Sequence, residues 1–239
     1  MRYIYGPVKS RRLGLSLGVS LTPYKVCNLD CLYCQLGKTG ERSGERREYI
    51  KAADILEELS VWFSRNPGQA EGLDYITLSG QGEPTLNTAI AEVIAGIRRL
   101  SRARLAVITN ATLLADKGVR AQILGADLII PSLDAAGEEG FRKINRPAPG
   151  LDIKNIIDGL ADLRSEFPGQ IWLEVMLAKG INDSPEDIRA LSQAVARIRP
   201  DKVQLNSPVR TTAESEVLPA DKGRLEKICE ILGDKCEIF

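Results

Sequence analysis

The sequence predicts an α/β protein folded as an open, partial (β/α)6 barrel, with parallel strands inside and helices outside. Strand-like apolar runs alternate with helical patterns along the chain, and repeated βα units build a parallel sheet that helices cover. Six units are visible in 239 residues, and a long loop follows the first strand. A closed eight-unit barrel typically takes about 250 residues, so the open form is favoured. An ordinary doubly wound sheet is the structural alternative.

The predicted elements follow one another without a linker, so residues 1–239 are expected to form a single domain. Strands are expected near residues 13–21, 73–79, 104–109, 127–132, 171–178 and 202–206. Helices are expected near residues 50–66, 87–100, 115–124, 152–166, 184–198 and 219–232. Ser184 and Pro185 give one helix a start signal, and Pro219 suits the first turn of the last helix. The result is a partial TIM-like barrel, with a further short strand expected in the terminal run CEIF.

Charge and hydropathy exclude several classes of protein. Lys plus Arg and Asp plus Glu both number 32, so the formal net charge is zero and nothing requires an anionic partner. No apolar run approaches the ~20 residues of a membrane helix, and the N-terminus lacks a signal-peptide core. A cytoplasmic protein without a membrane partner is expected. Three basic runs are interpreted mainly as solvated faces, with a phosphate-bearing or RNA substrate as the alternative: Lys9, Arg11 and Arg12; Arg42, Arg46 and Arg47; Arg98, Arg99, Arg102 and Arg104.

The first predicted strand alternates large and small residues, and period two places the two kinds on opposite faces. The large face carries Leu13, Leu15, Leu17, Val19 and Leu21, and the small face carries Gly14, Ser16, Gly18 and Ser20. We expect the large face to pack under helices and the small face to leave room inside the barrel. A close approach of another strand or helix, which also needs small residues, is an equally good explanation.

Polar residues recur on one face of the later strands, which the same alternation turns towards the barrel interior. They are Tyr75, Thr77 and Ser79; Ser132 and Asp134; Trp172, Glu174 and Met176; Gln204 and Asn206. Buried polar groups need partners, which a bound polar ligand or a self-satisfied network would supply. Glu174 lies in mid-strand, so its carboxylate should meet a cation from a ligand, a lysine or an arginine.

Three cysteines lie close together in the run CNLDCLYC, with the spacing C-x3-C-x2-C at Cys27, Cys31 and Cys34. The chain contains no histidine, whereas a closed zinc site takes four Cys or His ligands. A four-iron cluster held by cysteine needs one ligand per iron, so three thiolates leave one iron open. The loop 23–38 that carries them follows the first strand, at the end where α/β barrels build active sites. Five cysteines in a reducing compartment favour metal binding over disulfides.

This motif, with aromatic Tyr33 before the last cysteine, resembles the radical S-adenosylmethionine superfamily. The opening GPVKSRRLGLSLGVSLTPYKVCNLDCLYCQLGKT is similar to a subgroup of Fe–S oxidoreductases related to wybutosine-type tRNA-modifying enzymes. Further runs resemble the family's later strand elements in the same order: SGQGEPTLN, ITNAT, PSLDA, FRKINRP, LEVMLAKGIND and VQLNSPVR. The chain lacks the extra cysteines that the wybutosine enzymes carry before their main motif.

The resemblance implies a [4Fe–4S] cluster on Cys27, Cys31 and Cys34, with S-adenosylmethionine on the open iron. A reduced cluster would cleave S-adenosylmethionine to a 5′-deoxyadenosyl radical that takes a hydrogen atom from a substrate. An electron donor such as flavodoxin or ferredoxin is implied; for the substrate, RNA is weakly favoured over a protein partner or a small molecule. The segment at Gly80 to Glu83 would receive the methionine amine, unless it is a plain turn. The expected cofactor-binding residues are Tyr33, Gly80, Gly82, Glu83, Asn110, Ser132, Asp134, Glu174 and Asn206.

Two cysteines stand outside the motif. Cys229 shares a helix face with Leu225, Ile228 and Leu232, which predicts a core position, and Cys236 falls in the expected last strand. A non-catalytic iron–sulfur or zinc-binding protein is the competing hypothesis. It explains the clustered cysteines but neither the polar barrel face nor the glycine-rich segment.

Overall fold

The computed structural model describes residues 1–40, 42–209 and 212–239. In this part of the chain one sheet contains strands β1 to β8, in sequence order: Ile4–Ser10, Gly14–Val19, Tyr75–Leu78, Arg104–Thr109, Leu128–Pro131, Gln170–Met176, Lys202–Asn206 and Cys236–Ile238. The helices α1 to α8 are Ala52–Arg65, Pro67–Glu71, Ile90–Leu100, Lys117–Ile123, Glu138–Asn145, Ile153–Glu166, Pro185–Ile198 and Lys222–Leu232, and a short 3-10 helix spans Pro84–Leu86. No described helix has the length and apolar character needed to cross a bilayer.

The strand pairing confirms the predicted fold class. Strands β2 to β8 are parallel, each paired with the next, and only β1 runs antiparallel, against β2. All parallel strands therefore end at the same edge of the sheet, which forms the mouth of the barrel. The sheet is open rather than closed, and the six predicted βα units correspond to β2 through β7.

Several elements differ from the prediction, among them the short helix α2, the strand β1 and the helix α5. The strand β1 was not predicted, because Gly6 and Pro7 interrupt its alternation and its register shifts between Tyr5 and Val8. A bulge of this kind removes the period-two signal. The helix α5 was also missed, since its eight residues are too few for a clear helical pattern. The expected last strand is present as β8, which begins at Cys236.

Two apolar layers hold the sheet. Between sheet and helices lies the main core, to which alternate strand residues such as Ile76, Val107 and Leu173 contribute fully buried side chains. A smaller cluster fills the bottom of the barrel interior, made by Leu13, Tyr75, Ala106, Leu128 and Ile130. The expectation that Leu13 packs under helices is therefore wrong. Gly14 has φ +64°, and this left-handed bend breaks the alternation at the first residue of β2.

The small face of β2 lies inside the barrel, but not all of its room is free. A Cβ at Gly18 would lie 2.0 Å from the ring of Tyr5, so the Tyr5 ring of β1 covers this position. The hydroxyls of Ser16 and Thr77 are hydrogen-bonded at 2.6 Å. The small residues of β2 therefore have two roles: Gly18 leaves space for the Tyr5 ring of β1, and Ser16 contributes a hydroxyl to the polar interior.

Candidate active site

The cysteine loop leaves β2 and is held against the glycine-rich segment that follows β3. Lys25 N–H donates to the carbonyl of Gln81 at 2.8 Å, and Glu83 N–H donates to that of Val26 at 2.9 Å. A Cβ at Gly82 would lie 2.0 Å from the Val26 carbonyl oxygen. Only glycine allows this approach, so Gly82 serves the seating of the cysteine loop.

The three motif cysteines are free, half-buried thiols of one loop. Cys27 Sγ accepts from the Asn110 amide at 3.6 Å and from the Leu29 backbone N–H at 3.4 Å. Cys31 Sγ accepts from the Asn145 amide at 3.3 Å. Burial raises the pKa of Cys27 to about 11 and raises that of Cys31 further above its usual range. Both are thiols until a metal displaces their protons.

The donor set fits an iron–sulfur cluster better than a single metal ion. In the described residues no group of three or more Cys, His, Asp or Glu is arranged to hold one ion. A cluster instead places each thiolate on a different iron and is tuned by hydrogen bonds to its sulfurs. Asn110 and Asn145 supply such hydrogen bonds to the two innermost thiols.

Glu83 is 2% exposed and its carboxylate already accepts four hydrogen bonds. Oε1 accepts from the N–H and hydroxyl of Thr85, at 3.0 and 2.6 Å, and from the Thr109 hydroxyl at 2.6 Å. Oε2 accepts from Asn110 N–H at 2.7 Å. Burial raises the Glu83 pKa, against the effect of these donors. In this structure the carboxylate ties the segment after β3 to the end of β4.

A buried network connects the cysteine loop to β5 and α5. The Tyr33 hydroxyl donates to Asp134 Oδ2 at 2.5 Å, and the Asn145 amide donates to the same oxygen at 2.6 Å. Asp134 Oδ1 accepts from Met176 N–H at 2.9 Å. Burial raises the pKa of Asp134 to about 6, despite these donors. The Asn145 amide therefore contacts both Asp134 and the Cys31 sulfur.

The predicted cation for Glu174 is Arg12. Its guanidinium donates from Nη1 to Glu174 Oε2 at 2.8 Å and to Gln204 Oε1 at 2.9 Å. The Asn206 amide donates to Glu174 Oε1 at 3.3 Å. Gln204 Nε2 is buried without a partner in the described part of the chain, so the interior is not fully satisfied by protein alone. Arg12 had been noted only as part of a basic run, which did not reveal its partner.

A cavity of about 750 Å³ opens above this pair, within the usual range of small-molecule sites. We call it the barrel-mouth cavity. Among the predicted site residues it is lined by Tyr33, Gly80, Glu174 and Asn206. Residues not predicted as site residues also line it, including Tyr5, Lys9, Arg11, Arg12 and Phe239. The sequence features that could have indicated these residues were the basic run at Lys9, Arg11 and Arg12 and the aromatic residues Tyr5 and Phe239 near the two ends of the chain.

The remaining predicted site residues lie beside or behind this cavity. Asn110, Ser132 and Asp134 line a narrow cavity of about 20 Å³, which Tyr33 and Asn145 also border. Ser132 extends β5 by a backbone bridge to Glu174. Gly82 and Glu83 line neither cavity. The predicted residues thus gather on the cysteine side of the barrel.

The fold and the cysteine site define a class of barrel enzymes that use an iron–sulfur cluster. Residues 21–191 match the model of the Radical SAM superfamily. The chain therefore belongs to this superfamily and is a radical SAM enzyme, a kind that uses a [4Fe–4S] cluster, S-adenosylmethionine, an electron donor and a substrate.

Within the superfamily, the chain belongs with the UPF0026 proteins. It is 34% identical over 239 residues to the UPF0026 protein of Methanocaldococcus jannaschii, covering 100% of this chain and 73% of that one. It is also 36% identical over 235 residues to a Brachyspira hyodysenteriae protein named GTPase Obg, covering 98% of this chain. The chain spans only 34% of that relative's length.

Solved structures share the fold at low sequence identity. A radical SAM methyltransferase from Sphaerobacter thermophilus superposes with a TM-score of 0.70 at 16% identity, covering 94% of this chain and 65% of that one. Streptococcus suis SuiB bound to S-adenosylmethionine gives 0.66 at 17%, covering 93% and 49%. Archaeal TYW1 gives 0.57 at 16%, covering 92% and 72%. These similarities support the partial barrel described above.

Proposed function

We propose that this chain holds a [4Fe–4S] cluster through Cys27, Cys31 and Cys34, cleaves S-adenosylmethionine reductively beside it, and takes a hydrogen atom from a substrate in the barrel-mouth cavity. When bound, the cluster and S-adenosylmethionine supply the one-electron chemistry that generates a carbon radical. One observation carries the proposal. Three free thiols share a single loop whose own Tyr33 lines a cavity of about 750 Å³.

The chain's own residues would hold and shield the reacting groups. Asn110 and Asn145 donate to Cys27 and Cys31, which stabilises thiolates once metal has displaced their protons. Tyr33 lies between Cys31 and Cys34 and is fixed by Asp134. This hydrogen bond holds the ring where it lines both cavities, so Tyr33 would contact groups bound beside the cysteine loop.

The remaining predicted residues fall into two proposed roles. Gly80, Glu174 and Asn206 line the barrel-mouth cavity, where they would contact S-adenosylmethionine or the substrate directly. Asn110, Ser132 and Asp134 line the narrow cavity next to the cysteine loop, which has room for about one water molecule. They would bind the ribose or amino acid part only after this cavity widens.

Gly82 and Glu83 would position the cysteine loop and the segment after β3 rather than bind a ligand directly. Gly82 allows the close crossing of Val26, and Glu83 ties the segment to β4. The Glu83 carboxylate would receive the methionine amine only by exchanging one of its four donors.

For partners, we propose flavodoxin or ferredoxin as electron donor and RNA as the favoured substrate class. The basic run Lys9 to Arg12 at the cavity supports an anionic substrate, while the zero net charge counts against strong non-specific RNA binding. A cytoplasmic location is proposed because a reducing compartment keeps cysteines as thiols.

The decisive test is anaerobic reconstitution with iron and sulfide, followed by reduction with dithionite. The protein should be brown and should release 5′-deoxyadenosine from S-adenosylmethionine. Cys31→Ala should lose cluster absorbance and this product, while Cys229→Ala, a half-buried cysteine outside the motif, should retain both. Colourless protein that holds zinc tightly would instead support a non-catalytic metal-binding role.

Glu174 provides a second test of the site. Glu174→Gln should weaken binding of S-adenosylmethionine or substrate and leave cluster absorbance intact, because the residue lines the cavity but does not contact a cysteine. Unchanged turnover would assign Glu174 to structure alone.

A further inference from the structure

The turn between β1 and β2 brings three cations to the barrel-mouth cavity. Lys9, Arg11 and Arg12 all line it, with Ser10 between the first two. Arg12 points into the barrel and is half-buried, while Lys9 and Arg11 are exposed at the rim. The turn precedes β2 and the cysteine loop follows it, so the cavity extends from these cations at one end of β2 to Tyr33 and Leu36 at the other.

The positive charges of Lys9, Arg11 and Arg12 outnumber the negative side chains that line the cavity. In the described residues, Glu174 is the one side-chain carboxylate that lines it, and Arg12 already takes this group. Lys9 and Arg11 make no ion pair or hydrogen bond through their side chains in this part of the chain. Two cations consequently remain available to a bound anion, at a concave site where charge acts more strongly than on a flat surface.

The arginines of a second cavity face more acidic side chains than the cations of the barrel-mouth cavity do. This second cavity, of about 770 Å³, lies at the opposite end of the barrel and is lined by Arg104, Arg164 and Arg199. There Arg164 contacts Asp201 at 2.7 Å, and Asp127 lines the same cavity. That cavity contains no motif cysteine. Three arginines there face the two carboxylates of Asp127 and Asp201, whereas the three cations of the barrel-mouth cavity face the single described side-chain carboxylate of Glu174. The excess of positive charge is therefore larger in the cavity beside the cysteine loop.

Aromatic side chains accompany the cations. Tyr5 is fixed over Gly18 and its hydroxyl is hydrogen-bonded to Ser79 at 2.5 Å. Phe239 lines the same cavity. Cations that meet phosphates, next to aromatic rings on which bases stack, are the features that bind single-stranded nucleic acid. An acidic metabolite without a base would not use the aromatic side chains.

We propose that Lys9 and Arg11 form a phosphate-binding subsite for the substrate of this cavity, and that the substrate is a nucleotide unit, free or within an RNA strand. This inference rests on the proposed function, because it assigns the substrate of the same site. The phosphate lies at the rim on Lys9 and Arg11, and the base enters between Tyr5 and Phe239. Arg12 keeps its ion pair with Glu174 when the substrate binds.

The experiment measures binding of a fluorescein-labelled, 5′-phosphorylated tetraribonucleotide to reconstituted protein by anisotropy at several salt concentrations. The variant is Lys9→Gln with Arg11→Gln. The matched control is Arg65→Gln with Lys154→Gln, two exposed cations on outer helices. Each phosphate contact to single strands contributes about 0.7 to the salt slope, so the variant should lower the slope by about 1.4 and weaken binding several-fold. The control should bind like the parent protein.

Competitors then separate the two sources of phosphate. Displacement of the probe by a mononucleotide identifies a free nucleotide unit as sufficient, and displacement by unlabelled RNA alone identifies a strand. A salt slope equal to that of the control would overturn the proposal. Tighter binding of an acidic peptide, or equal competition by an unphosphorylated nucleoside, would also overturn it.

Formation of 5′-deoxyadenosine without added substrate separates this proposal from the function on which it rests. Lys9 and Arg11 contact neither the cysteines nor Glu174. The variant should therefore retain this uncoupled product. A salt slope in the variant equal to that of the control, with the product retained, refutes the phosphate subsite alone, and absence of the product in the parent protein refutes the proposed function.

Discussion

Gly82→Ala should disrupt the cysteine loop without touching a cysteine. An added Cβ would lie 2.0 Å from the Val26 carbonyl oxygen and 2.6 Å from Thr22 Oγ1. The first of these is backbone, so a side-chain rotation cannot relieve it. The loop would have to retreat by more than about 1 Å to reach ordinary contact distance. That movement breaks the Glu83 N–H to Val26 hydrogen bond, which is 2.9 Å long.

The destabilisation follows from these two effects. Overpacking of this kind typically costs 1–3 kcal/mol, and the lost backbone hydrogen bond adds about 1 kcal/mol. A total of about 3 kcal/mol corresponds to a fall in Tm of roughly 6–12 °C for a chain of this size. Iron content after reconstitution should fall as well, because the loop that carries Cys27 is displaced.

The assay combines thermal unfolding by circular dichroism with iron analysis per chain. The matched control is Gly44→Ala, because a Cβ there meets nothing within 4 Å, and its Tm should stay within about 2 °C of the parent. A Gly82→Ala protein with the parent Tm and full iron would refute the inference that close packing, rather than ligand approach, requires this glycine.

The remaining predictions concern three ion pairs away from the site. Arg120 is 4% exposed and holds Glu166 with two hydrogen bonds of 2.8 and 2.9 Å; Arg120→Met should lower the free energy of unfolding by about 3 kcal/mol in urea titrations. Arg142→Met, at an exposed i,i+4 pair, should change it by less than about 0.5 kcal/mol, and equal effects would contradict the role of burial. Burial raises the pKa of Asp127, but hydrogen bonds from Arg98 and from a backbone N–H outweigh it and lower that pKa. The stabilisation is therefore present above the unfolded pKa of about 3.9 and lost as pH falls through the folded value. Asp127→Asn should flatten the loss of stability below about pH 4, and a parallel pH profile in urea titrations would refute this assignment.

Local periodicity predicted the strand faces well. In β6, Trp172, Glu174 and Met176 lie on the interior face and Leu173 and Val175 in the main core, as the alternation indicates. Such a pattern is set by the backbone geometry of a few adjacent residues. For the same reason it failed at Gly14, where one left-handed residue moved Leu13 to the other side of the sheet.

Contacts between distant parts of the chain could not be predicted in this way. Arg12 and Glu174 are 162 positions apart, and their meeting depends on the barrel's curvature and on the unpredicted strand β1. Asn145 belongs to the missed helix α5, so its hydrogen bond to Cys31 carried no signal in the sequence beyond the resemblance. The cysteine motif indicated the superfamily that the family model confirms, because its spacing is set by the chemistry of the cluster.

The contact of Arg12 with both Glu174 and Gln204 has a kinetic consequence. This one guanidinium fastens the first hairpin to β6 and β7 on the far side of the opening. Moving the β1–β2 turn outward would remove this donor from Gln204 Oε1 and leave Glu174 with the Asn206 amide alone. Entry of molecules by movement of this turn would therefore be slower than entry past the exposed side chains of the cavity.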